Sequence, residues 1–156
     1  MLTTSAPNSN PLHRLARFVS KEAVAVMFNI QQAEIYTVER WAKIVYVHGK
    51  GISRFVSYAD FPPNKAVASP TDKDFSYWRG CWKKRQQEQQ KRQAPPFWVE
   101  FFARKLHGAA SIGDLRTWGE LIGTIKFSFG ETSLQVLRAS RARSPILTPL
   151  AFLWLY

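Results

Sequence analysis

Residues 31–43 read QQAEIYTVERWAK, and the fold of the N-terminal part turns on whether this stretch coils or extends. At helical period, Ile35, Val38 and Ala42 fall on one side at i, i+3 and i+7, while Ala33, Tyr36, Thr37 and Arg40 fall on the other. That spacing predicts an amphipathic helix over about 31–43, its outer face carrying hydrogen-bonding and cationic groups of moderate length.

The flanks fit a small reading head. Ser20 is a good N-cap ahead of KEAVAVMF, Val24, Ala25 and Phe28 share a face, and Asn29 tolerates the left-handed conformation that ends a helix. After residue 43, the β-branched runs IVYV (44–47) and SRFV (53–56) predict two strands. The two glycines of HGKG suit the tight reversal between them. Ser57 and Asp60 then form an S-x-x-D helix start. The expected order is helix, turn, helix, hairpin, helix start, with the hairpin leaning on the helices through Val45, Val47, Phe55 and Phe61.

Composition limits what such a head serves. The chain has 156 residues and a formal net charge of +11, with six Trp and eleven Phe. The aromatics supply a core that a disordered basic tail would lack, and the charge favours partners carrying phosphate. Cys81 is the single cysteine, so no disulfide forms within the chain. The N-terminus has no apolar signal core, and LAFLWLY (150–156) is far shorter than the roughly 20 residues of a membrane span. The expectation is a soluble, cytoplasmic, nucleoid-associated protein. His13, His48 and His107 are scattered and no glycine-rich phosphate loop follows a strand, so no catalytic residue, metal or cofactor is expected.

Residues 1–18 are expected as a flexible leader, 19–66 as the reading head and 67–156 as a helical region. In that region Thr71 and Asp74 form a capping pair, Phe75, Trp78 and Trp82 make a stripe, and the basic run KKRQQEQQKRQ (83–93) follows. Pro95 and Pro96 open a helix faced by Trp98, Phe101, Phe102 and Leu106 and closed by Gly108. Ser111 and Asp114 start another, stepping through Leu115, Trp118, Ile122 and Ile125, with Gly130 as a stop. A last helix around SLQVLRASRAR precedes Pro145. Gly119 and Gly123 would let the 115–125 face form a close helix–helix seam.

The span 20–61 resembles the winged helix-turn-helix of the MerR and phage-excisionase group. KEAVAVMFNI matches its first helix, IYTVERW its second, and KIVYVHGKGISRFVSYADF its wing. Through WAKIVYVHGKGISRFVSYADF, DFSYWRGCW and the W-G-x-x-I-G-x-I-K-F segment (118–127), the chain is most similar to the small MerR-type repressors found beside cyanobacterial type V-K CRISPR-associated transposons. The fold expected is mainly α with a small β-hairpin wing: an N-terminal winged helix-turn-helix plus a C-terminal helical dimerisation segment. The resemblance implies a homodimeric repressor of the adjacent effector gene, bound to double-stranded DNA at an inverted repeat, without a small-molecule effector. The long coiled coil and clustered cysteines of typical members are missing.

On that reading Lys21, Gln31, Gln32, Tyr36, Thr37, Arg40, Lys43, His48, Lys50 and Arg54 would meet DNA. Glutamine pairs with adenine edges, Arg40 reaches guanine or phosphate, Tyr36 and Thr37 donate to phosphate, and Lys50 and Arg54 grip the backbone from the wing. Trp41 is assigned to packing. Trp98, Phe102, Leu115, Trp118, Ile122 and Ile125 would join two copies. Three rivals stay open: an excisionase-like DNA-bending factor, a basic RNA-binding ribonucleoprotein subunit whose aromatics and 83–93 run meet RNA, and a peripheral membrane protein anchored by its C-terminal aromatics.

Overall fold

In the computed structural model, residues 12–85 and 93–147 are described. The expectations for residues 1–11, for most of the 83–93 run and for the apolar stretch 148–156 lie outside them. The chain divides into two units, Met1–Phe61 and Pro62–Tyr156, so the boundary falls a few residues before the expected one.

The first unit opens earlier than expected. Leu15, Ala16 and Phe18 are buried, which places 12–18 in the packed unit and corrects the reading of those residues as leader. The His13 ring stacks on Tyr58 at 4.0 Å and 9°, and its Nδ1 accepts from the Leu15 N–H at 3.0 Å. Burial, with Arg14 nearby, holds the His13 pKa below the usual histidine range.

Helix α1 (Lys21–Phe28) begins where the sequence places it, with Ser20 Oγ accepting from the Ala23 N–H at 3.1 Å. It ends at Asn29, which takes φ 55° and ψ 50°, the left-handed cap expected of it. Ala23, Val24, Ala25 and Val26 are its buried residues.

The second helix of the sequence reading does not form. Gln32–Glu34 makes one 3-10 turn, and Ile35–Arg40 is an extended strand, β1. It pairs antiparallel with β2 (Val45–Gly49), which pairs antiparallel with β3 (Ile52–Val56). The expected two-stranded wing is thus the middle and one edge of a three-stranded sheet ordered β1-β2-β3. The run Ile-Tyr-Thr-Val is β-branched or aromatic throughout, a poor helix former and a good strand former. A register shift between Ile35 and Thr37 leaves Tyr36 in a bulge, so Ile35 pairs with Gly49 and Val38 with Val47. The bulge sets two inward residues three positions apart, the same spacing as one face of a helix. No winged helix-turn-helix is present in this part of the chain.

Period-two alternation then sorts the sheet. Ile35, Val45, Val47 and Val56 are buried on the side that α1 covers. Phe55, expected to lean on the helices, alternates to the opposite side and is 53% exposed. Ser57–Asp60 yields a single 3-10 turn, Tyr58–Asp60, and no third helix.

The second unit is helical. Helices α2 (Asp72–Lys83), α3 (Phe97–His107), α4 (Ile112–Thr124) and α5 (Glu131–Ala142) carry the predicted start signals at Thr71/Asp74 and Ser111/Asp114 and the predicted end at Gly108. Gly130, expected as a stop, is the N-cap of α5, because the chain has already left α4 at Thr124 and made a 3-10 turn over Lys126–Ser128. Helix α3 packs on both α4 and α5. Trp78, Trp82, Trp98, Phe101 and Phe102 are fully buried in a run of edge-to-face contacts, with Trp82 and Trp98 at 5.2 Å and 78°. Cys81 is a free, half-buried thiol. No helix among the described residues is long and apolar enough to cross a membrane.

The left-handed Asn29 gives a direct test of the α1–β1 junction. Asn29→Ala should lower the stability of the folded chain by about 1 kcal/mol, and Asn29→Gly should be within about 0.5 kcal/mol of the parent, measured as urea midpoints.

Candidate nucleic-acid interface

The sheet face turned away from α1 is open. Register places Thr37, His48 and Ser53 in one row across the three strands, and Glu39, Tyr46 and Phe55 in the next. Tyr36, in its bulge, meets the His48 ring edge-on at 5.2 Å. Trp41, just past β1, meets Phe55 edge-on at 5.0 Å and lies 6.1 Å from Tyr46, which in turn lies 5.2 Å from Phe55. Tyr36 is 56% exposed and Trp41 48%. The packing role expected of Trp41 is therefore a surface role.

The polar ends of these rings are already engaged. Trp41 Nε1–H donates to Glu39 Oε1 at 2.9 Å, and the Tyr46 hydroxyl bonds Ser53 Oγ at 2.6 Å. The Tyr58 hydroxyl donates to the Trp41 carbonyl from the covered side and pins the β1–β2 turn. That turn is closed by the Trp41 N–H donating to the Ile44 carbonyl at 3.0 Å. Rotamers held in this way lose little freedom when a ligand settles on them.

The cations sit at the ends and edges. Lys43 lies in the β1–β2 turn and Lys50 in the β2–β3 turn, at opposite ends of β2, and both are exposed. Lys50 pairs with Glu34 at 3.6 Å at the exposed surface, an ion pair that contributes about 0–1 kcal/mol and that a phosphate can displace. Gly51, beside Lys50, takes φ +74°, which lets the lysine occupy a tight loop tip.

Of the ten residues expected to meet DNA, Tyr36, Thr37 and His48 lie together on the open face, with Lys43 and Lys50 at its two ends. Arg40 and Arg54 pair with Val45 and Val47 and so alternate to the α1 side, from which they extend at the edges. Arg54 lines a shallow groove there with Met27 and Phe28. In a helix Arg40 would share a face with Tyr36 and Thr37; the extended backbone separates them. Lys21 belongs to the first turn of α1, in the layer behind the sheet. Gln31 and Gln32 are exposed at the entry to β1, where the Gln31 N–H donates to Glu34 Oε1 at 3.0 Å, so they no longer open a reading helix. Sequence reading missed Glu39, Tyr46, Ser53 and Phe55, and misplaced Trp41. The available signal was the alternation Y-x-H and S-x-F, which puts two ring or hydroxyl side chains of each strand on the same side.

The six residues expected to join two copies are buried within the single chain: Trp98 and Ile125 are 0% exposed, and Phe102, Leu115, Trp118 and Ile122 at most 8%. They are core of the helical unit, and this face is not free to dimerise. The place kept for close approach at Gly119 is taken by the Arg141 guanidinium, 3.0 Å from where a Cβ would stand. Among the described residues no group of three or more His, Cys, Asp or Glu side chains is placed to hold a metal ion. The chain matches no family model, and no curated protein or solved structure is significantly similar to it.

The open face depends on the close pass of β2 against the entry to β1. A Cβ on Gly49 would stand 2.7 Å from the Glu34 carbonyl oxygen, next to the Lys50 N–H that donates to that oxygen at 2.8 Å. Gly49→Ala should destabilise the protein by about 1–3 kcal/mol in urea titrations. Gly80→Ala, on α2 with open space around it, should be neutral or stabilising by up to about 1 kcal/mol.

Proposed function

We propose that this protein binds nucleic acid through the outer face of its three-stranded sheet. The observation that carries the reading is the pairing of exposed rings (Tyr36, Trp41 and Phe55) on one sheet face with an exposed lysine in the turn at each end of its central strand, in a chain of net charge +11. Large rings left in water singly need no explanation, but Trp41 and Phe55 in edge-on contact on one small sheet, with Tyr36 further along the same face, mark a contact surface. Phosphate is the complement of the lysines and of the overall field, and base faces are the complement of the rings.

A second reading keeps the partner of the sequence resemblance: a repressor holding a duplex operator as a homodimer. It is favoured by the row Thr37, His48 and Ser53, whose hydrogen-bonding groups run across the strands as they do in proteins that read a major groove with β-structure. In that form the reading element is the sheet, and pairing of copies uses a surface other than the buried 98–125 set. Repression would come from occupying the bound site.

Anisotropy titrations with labelled oligonucleotides between 50 and 200 mM salt test the proposal. Binding should weaken steeply with salt, and Lys43→Ala with Lys50→Ala should reduce the slope of log K against log salt by about 1.4–1.8, two phosphate contacts' worth. Absence of binding at 50 mM salt, or a slope unmoved by the double substitution, contradicts the proposal.

A further inference from the structure

We infer that the strand held on this face is unpaired, its bases stacked on Trp41, Phe55, Tyr46 and Tyr36 and its phosphates running past Lys43 and Lys50. The inference rests on the nucleic-acid reading above and names the form of the ligand.

Three features point to unpaired bases. First, the ring chemistry is that of a stacking surface. Trp41 Nε1–H and the Tyr46 hydroxyl are committed to Glu39 and Ser53, so what these two rings offer a ligand is π-surface with little free hydrogen-bonding capacity. Neighbouring rings meet at 70°, 53° and 34°, which tilts them against one another and leaves faces and edges turned outward. Base–aromatic stacking uses such faces and is indifferent to sequence. In a duplex the bases already cover each other's faces, and rings have nothing to stack on.

Second, the platform is too broad for a groove. Three strands span about 10 Å between outer backbones before side chains are added, against a major groove about 12 Å wide. Rings standing on that surface would meet the phosphate walls before any base edge. A splayed single strand has no walls.

Third, Glu39 lies on the edge strand β1 in the row of Tyr46 and Phe55, its carboxylate accepting from the Trp41 indole N–H, and the lysines lie in the turns at either end of β2. A carboxylate repels phosphate and accepts from exocyclic amino groups of bases. A carboxylate among the rings therefore favours bases over phosphates at that row, and phosphates pass by Lys43 and Lys50 in the turns. The strand between the two lysine-bearing turns, Val45–Gly49, spans roughly 13 Å. Unpaired RNA and unpaired DNA share this chemistry.

The test uses the full chain with labelled oligo-U, oligo-dT and a mixed-sequence duplex of equal length at 100 mM salt. Both single strands should bind at least tenfold more tightly than the duplex, and the tighter of the two identifies the sugar preferred. Trp41→Ala and Phe55→Ala, at exposed positions, should each weaken single-strand binding about 10- to 100-fold, the loss of one base stack. Trp41→Phe, which keeps a ring, should stay within about threefold. Circular dichroism confirms that each variant is folded. Tight duplex binding with weak single-strand binding, or alanine variants that bind as the parent does while Lys43→Ala with Lys50→Ala weakens binding, overturns the stacking inference and leaves the nucleic-acid reading standing. Failure of all three probes to bind overturns both.

Discussion

The N-terminal unit depends on one backbone irregularity, the extra residue at Tyr36. Strand β1 must present Ile35 to Gly49 and Val38 to Val47, and both pairs face α1. A regular strand cannot put residues three apart on one side; a bulge can. By absorbing Tyr36, β1 keeps an apolar inner edge and throws a ring to the outside, beside His48. The same register carries Glu39, Tyr46 and Phe55 into one row, so the covered core and the open face are two consequences of one pairing. The Glu34–Lys50 backbone bond fixes where that pairing starts, and it needs a glycine at 49 to let the chains come close.

The two units spend their aromatic residues differently. In the helical unit Trp78, Trp82, Trp98 and Trp118 pack inward, and lysine and arginine cover the rings from outside, as Lys105 does over Trp118 at 5.5 Å and Arg79 over Phe127 at 4.0 Å. In the sheet unit Trp41, Tyr36 and Phe55 stay outside, although burying such rings is among the strongest stabilising contributions available to a small domain. That asymmetry is why the sheet face is the functional candidate and the helical aromatics are not.

Much of this was legible in the sequence. The caps at Ser20, Asn29, Thr71 and Ser111 act through local hydrogen bonds and conformational preference, so they appear where their residue types stand. The strands around HGKG were visible because β-branched runs flank two glycines. Residues 31–43 mimic a helix in sequence because the bulge reproduces helical spacing at Ile35 and Val38, while the β-branched and aromatic run Ile-Tyr-Thr-Val favours the strand that forms. The strand in place of a helix separates Arg40 from Tyr36 and leaves Trp41 on the surface, and alternation along β3 turns Phe55 outward. Trp98, Phe102, Leu115, Trp118 and Ile122 lie on helix faces as the sequence pattern implies, with Ile125 just past the end of α4. Sequence could not tell whether those faces meet a partner or their own chain, since a buried seam has the same apolar pattern in either case.

The most direct test of the account is the backbone state of residues 35–40 in solution. Nuclear Overhauser contacts in the labelled full chain should tie Val38 to Val47 and Glu39 to Tyr46, with extended-chain chemical shifts throughout and one break at Tyr36. Contacts between residues three apart along 31–43, with helical shifts and no cross-strand partners, would contradict it and restore a helix in place of β1.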